Sequence, residues 1–151
     1  MGKLVTEEGY KKINEELENR KTAVRQSIAN AIKEAKEQGD LSENAEYSEA
    51  KRQQSDNEAR IAELEFMLKE VKVVEYDENS GLSQMGSTVT VELGGNKMEF
   101  QIVGSNEADP DAMKISNESP MGKAFLGKKK GDKAEVITPA GKKEYKILDV
   151  K

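Results

Sequence analysis

Proline is absent from residues 1–75 and glycine occurs there three times, whereas residues 76–151 hold nine glycines and all three prolines. Helix interiors exclude both residue types, and tight turns recruit them. The chain therefore predicts long helices first and short, turn-linked strands afterwards. The change of regime is expected in the polar stretch Asp77-Glu78-Asn79-Ser80-Gly81, giving a helical domain over 1–76 and a second domain over 77–151.

Thr6 is a suitable N-cap, and Glu7 and Glu8 behind it suit the positive end of a helix dipole. An apolar stripe follows through Tyr10, Ile13, Leu17, Val24, Ile28, Ala31 and Ala35, spaced by roughly one or two helical turns. It stops at Gly39-Asp40. A second stripe runs through Tyr47, Ala50, Ile61, Leu64, Leu68 and Val71, with polar Gln54 and Asn57 within it. Folding the chain back at Gly39-Asp40-Leu41 sets Tyr10 opposite Val71, Leu17 opposite Leu64 and Ala35 opposite Tyr47. The expectation is an antiparallel two-helix coiled coil with arms of about 30 residues, roughly 45 Å long. Alanines gather toward the bend, so the tip is expected to be thin. Tyr10 and Tyr47 read as packing residues.

In the second half Val89, Val91 and Leu93 alternate with polar residues, Gly94-Gly95-Asn96 turns the chain, and Met98, Phe100 and Ile102 alternate on the return. Ser119, Pro120 and Gly127 mark the start and end of a short helix. Ala134, Val136 and Thr138, a turn at Pro139-Ala140-Gly141, and Tyr145 with Ile147 complete a small antiparallel sheet. The fold class is α+β. Glu107-Ala108-Asp109 reads as a turn with solvated acids, and Lys128-Lys129-Lys130 as a solvated loop.

The absence of cysteine and histidine removes disulfides, thiolate and imidazole chemistry and the usual zinc sites. A bound metal would be a hard, oxygen-ligated cation such as Mg²⁺. No apolar run exceeds three residues, which excludes a membrane span and predicts a soluble, cytoplasmic protein. The net charge of −5 and pI of about 5.1 argue against broad affinity for nucleic-acid backbone.

That charge is concentrated. Between Glu34 and Glu49 there are six acids and one base, a net of −5 equal to that of the whole chain. Two readings of Asp40-Leu41-Ser42-Glu43 stand side by side. Asp40 could cap the second helix with Glu43 reaching back, as in a capping box. Alternatively, Asp40 and Glu43 present two carboxylates for a Mg²⁺ completed by a partner's ligands. Lys51 and Arg52 are a helix surface that could also meet phosphates.

Gly39-Asp40-Leu41-Ser42-Glu43-Asn44-Ala45-Glu46-Tyr47 resembles the signature of the bacterial transcript cleavage factors of the Gre family. Co-linear matches include Thr6-Glu7-Glu8-Gly9-Tyr10, Ala50-Lys51-Arg52-Gln53-Gln54, Glu107-Ala108-Asp109, Ser119-Pro120 and Gly131-Asp132. The resemblance implies an N-terminal coiled coil that enters the secondary channel of bacterial RNA polymerase, and a C-terminal FKBP-like domain that holds the channel rim. Asp40 and Glu43 would share a Mg²⁺ with the polymerase, which itself cuts the nascent RNA near its backtracked 3′ end. Asn44, Glu46 and Tyr47 would support the tip, Lys36, Lys51 and Arg52 would contact RNA phosphate, and Glu118, Ser119 and Pro120 would dock on the rim. The chain would act as a monomer, away from membranes, and would not be an enzyme by itself. Three positions depart from the family pattern: Gln26 where proline is common, Lys36 where arginine is frequent, and a segment Ser83-Gln84-Met85-Gly86 without the expected aromatic. The rival reading is a related channel-binding regulator that inhibits polymerase without promoting cleavage, and the intact Asp40/Glu43 pair speaks against it. An isomerase role is disfavoured by the scarcity of aromatics.

Overall fold

The computed structural model describes residues 3–40 and 44–151. In chain order the elements are β1 (Lys3–Thr6), α1 (Glu7–Asn19), a π-helical turn (Arg20–Val24), α2 (Arg25–Lys36), α3 (Ala45–Glu70), β2 (Val71–Val74), β3 (Thr88–Leu93), β4 (Asn96–Val103), β5 (Lys114–Ser116), α4 (Pro120–Phe125), β6 (Lys133–Thr138) and β7 (Gly141–Val150). Two compact units result. One is Lys11–Glu70, and the other joins Met1–Tyr10 to Val71–Lys151. None of the helices among the described residues is long and apolar enough to cross a membrane.

The two compact units part at residues 10/11 and 70/71. The physical reason is a parallel pairing of β1 with β2, from Lys3 opposite Val71 to Thr6 opposite Val74. Val71, expected to continue the helical stripe opposite Tyr10, is drawn into this ladder.

In the helical unit, Ile13, Ile28 and Ala35 from the first arm and Ala50, Asn57, Ile61 and Leu64 from α3 are buried. Polar partners also cross the seam. Glu16 takes both Nε and Nη2 of Arg60 at 2.8 and 2.9 Å and Nε of Arg20 at 2.7 Å. Arg25 donates to both oxygens of Glu58 at 2.9 and 2.7 Å. The bonds from Arg60, and next those from Arg20, hold the Glu16 carboxyl at a pKa of about 2, against the ordinary 4.5, overcoming its partial burial.

In the other unit, the five-stranded sheet has the order β5-β4-β3-β7-β6. Its pairs are antiparallel as expected except β4 with β5, which run parallel because the chain crosses over through residues 104–113 before β5. One face packs on Phe125 of α4, whose ring meets Tyr145 edge-on at 5.5 Å and Phe100 at 6.1 Å. The segment without an aromatic is part of this core: Met85 is buried against it, and Ser83 binds the end of α4 through Phe125 O, Gly127 N and Lys128 N.

Thr6 caps α1 as expected, its hydroxyl accepting from Gly9 N at 3.0 Å. Glu107, by contrast, is not a solvated acid. Its carboxylate accepts from Thr6 N at 3.1 Å, Thr6 Oγ1 at 2.5 Å and Gly104 N at 3.0 Å, tying the start of α1 to the loop after β4. A Cβ at Gly9 would collide with the Glu107 carboxylate and displace it from Thr6.

Two outcomes follow from this packing. Glu107→Ala leaves three donors without their acceptor and should cost about 1–3 kcal/mol, read in amide exchange at Thr6 and Gly104. Glu16 has a depressed pKa, so its stabilising contribution is full above about 4.5 and is lost as pH falls toward about 2. Helix melting by circular dichroism should therefore weaken across that window, and Glu16→Gln should flatten this dependence while lowering the midpoint at neutral pH.

Candidate functional site

The bend between the two arms is built on one asparagine. α2 ends at Lys36, and the backbone turns through Gly39 at a φ of 109°, a left-handed value that glycine adopts without strain. Asp40 follows, exposed. Leu41, Ser42 and Glu43 lie outside the described residues, so of the expected acid pair only Asp40 has a described position.

α3 begins at Ala45, and its cap is Asn44. Asn44 Oδ1 accepts from Tyr47 N at 3.1 Å, the bond made by an N-cap. Its Nδ2 donates to Ala35 O at 2.7 Å, so the same side chain clasps the last turn of α2. The capping role that the sequence suggested for Asp40 therefore belongs to Asn44. Around the clasp the seam consists of small residues, with Ala35 1% and Ala50 4% exposed and Tyr47 half-buried.

Glu46 is exposed on the first turn of α3, and Lys36 is exposed at the end of α2. Lys51 and Arg52 lie about 9–11 Å further along α3 at 1.5 Å per residue. They differ in charge balance. Lys51 Nζ donates to the neutral Gln54 at 2.8 Å. Arg52 donates to both oxygens of Glu49 at 3.0 and 2.5 Å and to Asp56 at 2.8 Å. Hydrogen bonding to Arg52 lowers the Glu49 pKa, and the same bond raises that of Arg52. Arg52 thus has two carboxylate partners on its own helix, a competition readable from the i−3 and i+4 spacing but not weighed in the sequence.

Glu118, Ser119 and Pro120 are in the other unit, at the start of α4. The Ser119 hydroxyl accepts from Gly122 N at 3.0 Å and donates to Ser116 O at 2.6 Å, while Pro120 occupies the first helical position. Glu118 and Pro120 are exposed. These are the local roles expected of a cap and a helix start.

Among the described residues no group of three or more acids could hold a metal ion. Asp40 fits Mg²⁺ in donor type, as a hard carboxylate oxygen, and fits a shared site better than a self-sufficient one.

Two family models cover the chain. The one described as transcription elongation factor, N-terminal, matches residues 3–73, and the one described as transcription elongation factor, GreA/GreB, C-terminal, matches residues 70–151. The protein named transcription elongation factor GreA from Thermoanaerobacter pseudethanolicus is 51% identical, over 98% of this chain and 96% of its own. Its namesake from Beijerinckia indica is 48% identical, over 97% and 95%. Among solved structures, that of GreA factor homolog 1 from Thermus thermophilus aligns with 32% identity and a TM-score of 0.44, over 100% of this chain and 99% of its own. With both halves matched and about half of all positions identical to proteins of that name, the chain belongs to the GreA/GreB family of transcription elongation factors.

Proposed function

We propose that this chain rescues backtracked bacterial RNA polymerase by inserting its helical tip into the secondary channel and stimulating Mg²⁺-dependent cleavage of the nascent RNA near its 3′ end. The observation that carries this reading is the division of labour at the bend. Asn44 caps α3 and clasps Ala35, and Asp40 is exposed at the bend between the two arms.

In this role Asp40 and Glu43 complete a metal site that the polymerase begins. The shared Mg²⁺ supplies charge neutralisation at the phosphate and a more acidic water. The two carboxylates accept hydrogen bonds from the attacking water and orient it toward the scissile phosphate. Lys36 and Lys51 meet RNA phosphates, and Arg52 joins them by exchanging a carboxylate for a phosphate oxygen. The polymerase makes the cut, and the chain is its cofactor rather than a nuclease. Glu118, Ser119 and Pro120 dock on the channel rim, the proline giving a rigid edge and the exposed Glu118 a charge. The protein works as a monomer in the cytoplasm.

The test is a stalled, backtracked elongation complex from the source organism, incubated with the purified protein and resolved for shortened RNA. Asp40→Asn and Glu43→Gln should each cut the stimulated rate by about a hundredfold or more while polymerase binding and the melting temperature stay near those of the parent. Asn44→Ala should instead destabilise the helical unit by about 1 kcal/mol and weaken cleavage through loss of tip order. Binding with inhibition and no shortened RNA would establish the inhibitor reading in place of this one. For the rim, Glu118→Lys combined with Pro120→Ala should weaken polymerase binding and be recovered at high protein concentration, unlike Asp40→Asn. Undiminished binding would move the rim contact to another surface, with Lys128–Lys130 next to be tried.

A further inference from the structure

The two arms of the helical unit do not carry the same register. On α3 the seam positions Ala50, Gln54, Asn57, Ile61, Leu64 and Leu68 keep an unbroken alternation of four and three. On the opposite arm the sequence Ile13, Leu17, Arg20, Val24, Ile28 advances by four, three, four and four, one residue more than the facing helix. An uninterrupted α-helix would carry that residue as a rotation of about 100° for every side chain beyond it, turning Ile28 and Ala35 out of the seam. The π turn at Arg20–Val24 takes it up, because a turn closed i to i+5 holds one residue more than an α turn.

Such a turn disturbs the backbone ladder, and one carbonyl in it and one just before it accept side-chain donors. Thr22 Oγ1 donates to Glu18 O at 2.8 Å. Asn57 Nδ2, from the opposite arm, donates to Arg20 O at 3.1 Å, and Asn57 Oδ1 accepts from Arg20 Nη1 at 3.1 Å. Asn57 is 3% exposed, a buried carboxamide where the α3 stripe would otherwise continue apolar. A polar residue at one seam position is a known means of fixing register at a cost in stability. Both ends of the carboxamide are bonded to Arg20, the first residue of this turn.

We infer that Asn57 is a positioning residue that holds the extra residue of the first arm at Arg20–Val24 and so sets the face on which the bend presents Asp40. The path is continuous: the turn fixes the azimuth of α2, α2 brings Ala35 O to Asn44, and Asn44 fixes the start of α3. This inference rests on the cleavage reading for what the aimed tip does, and on the register alone for how it is aimed.

The experiment uses Asn57→Leu, which removes both bonds while supplying the apolar group the stripe lacks, and Asn57→Asp, which keeps the shape and the acceptor for Arg20 but loses the donor to Arg20 O. Helix content of both should stay close to the parent, and Asn57→Asp should melt lower than Asn57→Leu, since its carboxyl faces Arg20 O with a second buried acceptor. The chain has no cysteine, so spin labels at Glu18→Cys and Lys33→Cys, one on each side of the turn, report its geometry in the free protein. Both Asn57 variants should shift that distance distribution. In the backtracked complex both should lower the maximal cleavage rate by about ten- to a hundredfold, with the half-saturating concentration unchanged, since misplacement by about an ångström can cost that much. Unchanged rates in both variants would overturn the inference, whether or not the distance shifts. A lowered rate with an unshifted distance would also overturn it, because Asn57 would then act other than through the turn. An inert parent would overturn the cleavage reading itself and, with it, the aim assigned to the turn.

Discussion

A pair of helices buries one stripe from each arm and little else, so the helical unit depends on keeping those two stripes opposed along its length. Every residue beyond a slip would turn its apolar side to water. At about 25 cal/mol per Å² of apolar surface, the few large side chains here leave little reserve against such a loss. The chain meets this constraint with unequal arms: one regular helix, and one that carries an extra residue and absorbs it in a π turn. The surrounding polar bonds gather at that level. Glu16, Arg20, Asn57 and Arg60 form one connected set, with Arg25 and Glu58 a turn further on. Half-exposed ion pairs contribute little one at a time, but a connected set discriminates between registers because a slipped arm breaks several bonds together.

The other unit has its own tether. Glu107 receives three donors from the N-terminal segment and from the loop after β4, and β1 pairs with β2. The first ten residues therefore belong structurally with the last eighty-one, and the helical unit is an excursion of the chain between two adjacent parallel strands. Both its entry and its exit are fixed by backbone hydrogen bonding.

Much of this was legible in the sequence because it is local. The Thr6 and Ser119 caps, Pro120 at the start of α4, the alternating strands and the hairpin itself follow from spacing and side-chain chemistry. What escaped depends on partners distant in sequence. Val71 reads as the next step of a helical stripe until Lys3 is seen to pair with it. Glu107 reads as a solvated turn acid until Thr6 lies against it. The parallel β5 is three residues long, too short to carry an alternation of its own. At the bend the sequence suggested Asp40 as the cap, and Asn44 was not read as one. The apparent capping box favoured the first, and the start of α3 at Ala45 decides for the second. The extra residue in the first arm was visible as a four-four step, but only the facing helix shows that it is extra.

The cap assignment bears on how chemistry can be placed on so thin a structure. A carboxylate that caps a helix is held by backbone N–H groups, and those bonds oppose its use as a metal ligand, since both draw on the same lone pairs. Here the cap of α3 is a neutral asparagine, which anchors the helix start without placing a charge at that position. Asn44 does more than Asp40 could in its place, because a carboxamide has a donor as well as an acceptor, and the donor reaches Ala35 O on the opposite arm. A carboxylate at position 44 would face that carbonyl with a second acceptor. At the bend a carboxamide thus joins the two arms through a donor and an acceptor together, which an ionised acid could not do.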